Sequence, residues 1–167
     1  MTFTVRQEQP GDSAAIFELT QLAFSTATHS SRTEQFIVDA LRRNGDLALS
    51  LVAESEGRLV GHVAISAVTT SGGDGWYGIG PLSVIPAFQR QGIGSFLLQE
   101  GIAIMRERGA RGCVLVGDPA FYARFGFARC TELVYPGIPS EYLLYKNFDN
   151  TIPKGVIAFS PAFAATA

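Results

Sequence analysis

The sequence predicts a mixed α/β domain on one mostly antiparallel sheet flanked by helices, and three observations predict it. First, strand-like runs on either side of Ser55-Glu56-Gly57, in "LALSLVAESEGRLVGHVAIS", read as a hairpin, and "WYGIGPLSVIP" adds a third strand after the loop "SGGDG". Second, the helical "GIGSFLLQEGIAIMRERG" separates that strand from the wholly apolar "CVLVGD", which makes a β–α–β unit. Third, 167 residues with 47% hydrophobic content suit one well-buried core, whereas two domains would each be poorly cored.

The remaining elements follow in order. "TFTVRQ" alternates Phe3 and Val5 with polar residues as a half-buried strand does. Pro10-Gly11-Asp12 breaks it, and Asp12 or Ser13 caps a helix with Ile16, Leu19 and Ala23 on its apolar side. A second helix starts near Thr33, carries Phe36, Ile37, Ala40 and Leu41, and stops at Asn44-Gly45-Asp46. After the buried strand, "PAFYARFG" reads as a short helix and "YLLYKNF" as a late strand. The tail adds one more strand before fraying, and residues 1–167 make a single domain with its core over about 3–148 and an extension over 149–167.

Composition narrows the function classes. A net charge of −2, with 13 scattered basic residues, leaves no basic footprint for nucleic acid. Cys113 and Cys130 form no CxxC pattern and read as buried free thiols. "MTFTVRQEQPGD" lacks a signal-peptide core and no run reaches transmembrane length, so the expectation is a soluble cytoplasmic protein.

One stretch asks for more than a structural explanation. In "AFQRQGIGSFLL" (87–98), Gly92 and Gly94 stand at the head of a helix, although glycine costs roughly 1 kcal/mol against alanine inside one. First-turn N–H groups have no intrahelical acceptor, and the helix dipole adds positive potential there. Bare glycines let a phosphate approach those groups, and Arg90 adds a cationic fork. A plain tight turn is the other reading of so short a pattern. The dinucleotide fingerprint GxGxxG is absent because position 97 is Leu, and GxxxxGK[ST] is absent too.

"QRQGIG" (89–94), placed after "LSVIP" and before a long helix, resembles the Q/R-x-x-G-x-G/A signature of the GNAT superfamily of acyl-coenzyme A N-acyltransferases. "FYARFGF" (121–127) is similar to that family's Tyr followed by Gly-Phe, and element order agrees over about 3–148. The resemblance implies a sheet splayed between its two central strands and acetyl-CoA as cosubstrate, with no metal. It implies that Gln89, Arg90, Gln91, Gly92, Ile93, Gly94 and Ser95 hold the coenzyme A pyrophosphate, and that Leu82, Ser83 and Val84 pair with the pantetheine arm. A strand opened along one edge bonds amides as another strand would. Pro81, which lacks an N–H, either interrupts pairing there or merely kinks an edge strand.

Tyr122 matches the tyrosine that protonates the departing thiolate, a phenol being protonated at neutral pH. Catalysis then runs by direct attack of an amine on the thioester, a main-chain N–H near Val84 stabilising the developing oxyanion. The base that takes the amine's proton is open among Glu34, His29, His62, Asp118 and Asp74. Glu34 is chosen because its helix borders the acceptor site in the family; His62 reads equally as a core histidine, and Asp118 as the cap of the helix at Pro119. Phe121, Phe125 and Phe127 read mostly as core, and Trp76 and Tyr77 either line the acceptor mouth or sit as surface-strand aromatics. The expected reaction is N-acetylation of a small-molecule primary amine, by a chain that binds no nucleic acid or membrane and whose apolar tail fits either a homodimer, common in the family, or packing on its own domain. Acetylation of a protein lysine or N-terminus, and an acyl-CoA-binding sensor without turnover, are the alternatives.

Overall fold

In chain order, residues 2–167 of the computed structural model form β1 (Thr4–Gln7), α1 (Ser13–Phe24), α2 (Glu34–Asn44), β2 (Leu47–Ser55), β3 (Arg58–Ala67), β4 (Thr69–Thr70), β5 (Trp76–Val84), α3 (Ile93–Glu107), β6 (Gly112–Val116), α4 (Pro119–Tyr122), β7 (Ala128–Arg129), β8 (Leu133–Val134), β9 (Leu143–Asn147) and β10 (Gly155–Ala158). Seven strands make one sheet in the order β1-β2-β3-β5-β6-β9-β7, and β4-β10-β8 make a small second one. Every pairing in the large sheet is antiparallel except β5 with β6, the strands joined by the α3 crossover. The turn at Ser55-Glu56-Gly57 closes the β2–β3 hairpin as the sequence predicts, with Glu56 and Gly57 both at positive φ.

The two sheet faces take different helices, and the strand alternation of β3 shows how. A Cβ at Gly61 would lie 2.9 Å from Ile93 and 3.0 Å from Leu97, so the Gly61, Val63, Ile65 side receives α3. On the other side Ala64 packs with Ile37, Ala40 and Leu41 of α2, and Val52 of β2 packs with Ile16 and Val38. Burying Ile93, Leu97, Leu98 and Met105 of α3 contributes about 1.5–3 kcal/mol per side chain. That burial fixes the start of α3 against β3 and β5. α2 ends as the sequence predicts, on Gly45 at φ +76° in the left-handed region.

Three local expectations need correcting. The tail does form β10, but it does not fray: Ala162 is buried in the α2 cluster and Ser160 Oγ donates to Asp46 Oδ2 at 2.7 Å. Trp76 is neither a mouth residue nor a surface aromatic; it is buried with Val68, Val114 and Ile157. Of the phenylalanines in "FYARFGF", only Phe127 is buried, while Phe121 and Phe125 are half-buried against the core edge. Cys113 and Cys130 are buried free thiols, as expected, and burial pushes the Cys113 thiol up to about 12. Among the described residues no helix is long and apolar enough to cross a membrane.

Candidate active site

The site begins where a strand loses a neighbour. β5 pairs with β6 only from Trp76–Gly78 to Gly112–Val114, so Ile79–Val84 continue without a β6 partner. On its other side β5 stays paired with β3 out to Val84 opposite Gly61, with an irregularity where Gly80 and Pro81 intrude. Pro81 therefore sits in a central strand, not an edge strand, at the point where the sheet opens.

One cavity, of about 580 Å³, lies at the head of α3. Val84, Gln89, Arg90, Gly92, Gly94 and Ser95 border it. Arg90 at φ +62° and Gly92 at φ +87° both occupy the left-handed region, a conformation that turns nearby N–H groups toward one concavity. Gly92 is the α3 N-cap and offers no side-chain acceptor to the first turn, which also holds no acidic residue. Phe96 N–H is bonded to Gly92 O at 3.0 Å, so the N–H groups of Ile93, Gly94 and Ser95 precede the first helical acceptor and remain unspent. A Cβ at Gly94 would meet nothing nearer than Val84 Cγ2 at 3.6 Å, so packing does not demand glycine there.

Most of the sequence-predicted cofactor residues meet at this cavity. Leu82, Val84, Gln89, Arg90, Gly92, Ile93, Gly94 and Ser95 line it; Gln91 is exposed beyond it, and the Ser83 side chain is buried on the opposite side of β5 from Leu82 and Val84. The Gln89 amide turns back to donate to Val84 O at 2.9 Å, bracing the loop on the strand. Arg124 was missed: it borders the cavity with Phe88 and Phe121, its guanidinium 4.7 Å from the Phe121 ring centroid. Its signal was a cation inside "FYARFGF".

A second cavity, of about 380 Å³, meets the first at Leu82. Tyr122 and Glu34 both line it, brought from α4 and the first turn of α2. Asp118 caps α4 through Ala120 N–H at 2.9 Å, which sets where the Tyr122 ring comes in. That ring lies so close over Gly117 that a Cβ there would be 2.4 Å from Tyr122 Cε2. Edge-on contacts with Phe121 and Phe127 hold it, and burial pushes the phenol above its ordinary value, so it stays protonated through neutral pH. Glu34 Oε1 accepts from Ser30 Oγ at 2.7 Å. The other base candidates lie elsewhere: His29, Asp74 and Asp118 are exposed outside the cavity, and His62 is fully buried.

His62 belongs to a separate polar row. Ser50 Oγ donates to Glu8 Oε1 at 2.8 Å, so His62 Nε2, 2.8 Å from the same oxygen, carries the proton and Nδ1 is the bare nitrogen. Burial lowers the imidazole to about 4.

Comparison with known proteins places this geometry. The Acetyltransferase (GNAT) family pattern matches residues 14–127. The chain belongs to the GNAT acetyltransferase family. YhbS of Escherichia coli K12, described as an uncharacterized N-acetyltransferase, is 35% identical over 157 residues, 89% of each chain. The crystal structure of a GNAT family acetyltransferase from Brucella melitensis in complex with acetyl-CoA superposes with a TM-score of 0.87, at 44% identity over 97% of this chain and 98% of that one. That of E. coli YhbS in complex with CoA gives 0.88, over 99% and 93%. As a GNAT protein the chain is an acetyltransferase, and the predicted mixed sheet with its central splay is the fold observed. Sequence reasoning did not find the rest of the second cavity's wall: Tyr135 and Ile138 from the β8–β9 connection, and Phe159 and Phe163 from the tail. Those residues carry no motif, and only the tertiary path of the chain brings them together.

Proposed function

We propose that this GNAT enzyme transfers an acetyl group from acetyl-CoA to the primary amine of a small molecule by direct attack. One observation carries the reading: two cavities of different chemistry meet at Leu82, in the opening between β5 and β6. Unspent N–H groups of Ile93, Gly94 and Ser95, with Arg90 and Arg124, suit the diphosphate; Leu82, Ser83 and Val84 offer strand backbone to the pantetheine amides. Acetyl-CoA supplies an activated thioester when bound there. A cavity of about 380 Å³ falls in the range for small-molecule sites, roughly 300–1,000 Å³.

In this reading Glu34 binds the ammonium form of the acceptor and takes its proton, and Tyr122 gives its phenolic proton to sulfur. The balance closes: a C–N bond forms, a C–S bond breaks, the nitrogen loses two protons in passing from ammonium to amide, and sulfur gains one. The products are the N-acetyl amine, coenzyme A thiol and one proton released to solvent.

Thiol release from acetyl-CoA, measured over a panel of small amines and a lysine peptide, tests the reading alongside calorimetry with coenzyme A. Turnover of small amines supports it. Turnover of the peptide alone replaces it with protein acetylation, and tight coenzyme A binding without thiol release replaces it with a sensor.

A further inference from the structure

Resting on that reading of the second cavity, we infer that its acceptor is an apolar primary amine with an aromatic body and no carboxylate. Three observations carry this. First, Glu34 is the only charged side chain bordering the cavity; no Lys, Arg or His among the described residues lines it. An ammonium group entering there finds a counter-ion. A carboxylate on the same substrate would find none, and would share a half-enclosed apolar space with Glu34, where an unpaired charge is costly.

Second, the carboxylate is poised rather than consumed. Glu34 Oε1 is held by Ser30, and Oε2 has no donor among the described residues. It forms no ion pair among the described residues, whereas Glu8, also partly buried and bonded to α2, is locked to Arg42 at 2.6 Å and to Ser50.

Third, the far wall is a built aromatic surface. Tyr135 and Phe159 stack with centroids 5.1 Å apart and 11° between planes, and Phe163 meets Phe159 edge-on at 5.0 Å. The tail that carries two of these rings is anchored by Ser160 on Asp46 and by buried Ala162 on α2, so the wall exists before any ligand arrives. Offset or edge-on contact with an aromatic substrate adds attraction beyond its area burial. A second ammonium, as in a diamine, would meet no second carboxylate there and would exchange its water for the weaker cation–π attraction of the rings.

The test compares kcat/KM at saturating acetyl-CoA for 2-phenylethylamine, phenylalanine and putrescine, with a lysine peptide as fourth acceptor. The first pair differs only by the carboxylate. 2-Phenylethylamine is expected to exceed phenylalanine at least 100-fold and putrescine at least 10-fold. Phe159→Ala should raise its KM at least 10-fold without moving the KM of acetyl-CoA; Phe163→Leu, a milder change, should move it in the same direction. If phenylalanine, putrescine or the peptide is used as well as 2-phenylethylamine, the inference falls and the acetyltransferase reading stands. If no acceptor releases thiol while coenzyme A still binds, the reading itself falls.

Discussion

The two cavities that meet at Leu82 are built by different means. The one at the head of α3 presents main chain: three unspent N–H groups, two left-handed residues and a glycine whose missing side chain faces outward. Its donors come from consecutive residues, and Arg90 and Arg124 supply charge from the rim. The other presents side chains from α1, α2, β5, β6, α4, the β8–β9 connection and the tail, nearly all apolar, around one carboxylate. A main-chain cradle depends on backbone angles and on the absence of a Cβ, so it suits a ligand group that never changes. A side-chain cavity depends on the identity of each residue and is free to be refitted to a different acceptor.

That contrast breaks most readily by adding atoms to the cradle. Gly94→Val should weaken coenzyme A binding about 100-fold or more by calorimetry, since its side chain enters the space in front of three N–H donors. Thermal stability should change little, because the position has open room toward the protein and valine is an acceptable helix residue. A large loss of stability with intact affinity would mean that the glycine serves packing.

In the side-chain cavity, removing a single proton should suffice. Tyr122→Phe should lower kcat about 10²- to 10³-fold and leave the KM of acetyl-CoA unchanged. Burial raises the phenol above its ordinary value near 10, so wild-type turnover should hold through pH 9, the acid still being protonated there. Unchanged turnover across that range would remove the acid role. Glu34→Gln should cost about 10- to 100-fold in kcat/KM for the amine, with coenzyme A affinity as before. An equal loss on both ligands would show a folding defect instead.

The same contrast explains what could be read from the sequence. The cradle was legible because its parts are local: a strand ending in "LSVIP", a glycine pair and an amphipathic helix occupy adjacent stretches of chain, and helix starts obey short-range rules. Tyr122 was legible through the motif around it. Glu34 was chosen only because the resemblance puts its helix beside the acceptor, and the structure brings it to the cavity that Tyr122 lines. Phe159, Phe163 and Tyr135 were invisible as a wall because stacking between residues 135 and 159 follows from how β8 and β10 pair, which no local pattern encodes. Trp76 was misjudged for a related reason: alternation shows that a residue faces one side of a strand, but the small sheet covering that side had to be seen.

His62 sharpens the comparison from outside both cavities. It was a candidate base, yet it lies fully buried in the row Glu8–Ser50–His62, away from Tyr122 and Glu34. His62→Gln keeps an N–H for Ser50 Oγ and removes the group that titrates, so kcat at pH 7.5 should stay within about twofold. Stability should respond instead. Burial holds the folded imidazole at about 4 against 6.5 for the free group, so between those values the unfolded chain takes up a proton that the folded chain does not. Wild-type stability is therefore complete above pH 6.5 and declines toward pH 4, by on the order of 2–3 kcal/mol at about 1.4 kcal/mol per tenfold change in proton affinity. Urea melts of the Gln variant should be flatter across that window, the fall at still lower pH remaining because Glu8, despite its burial, is held below its ordinary value by Arg42 and Ser50. A variant that loses turnover at neutral pH while its acid profile stays unchanged would put His62 back into the chemistry.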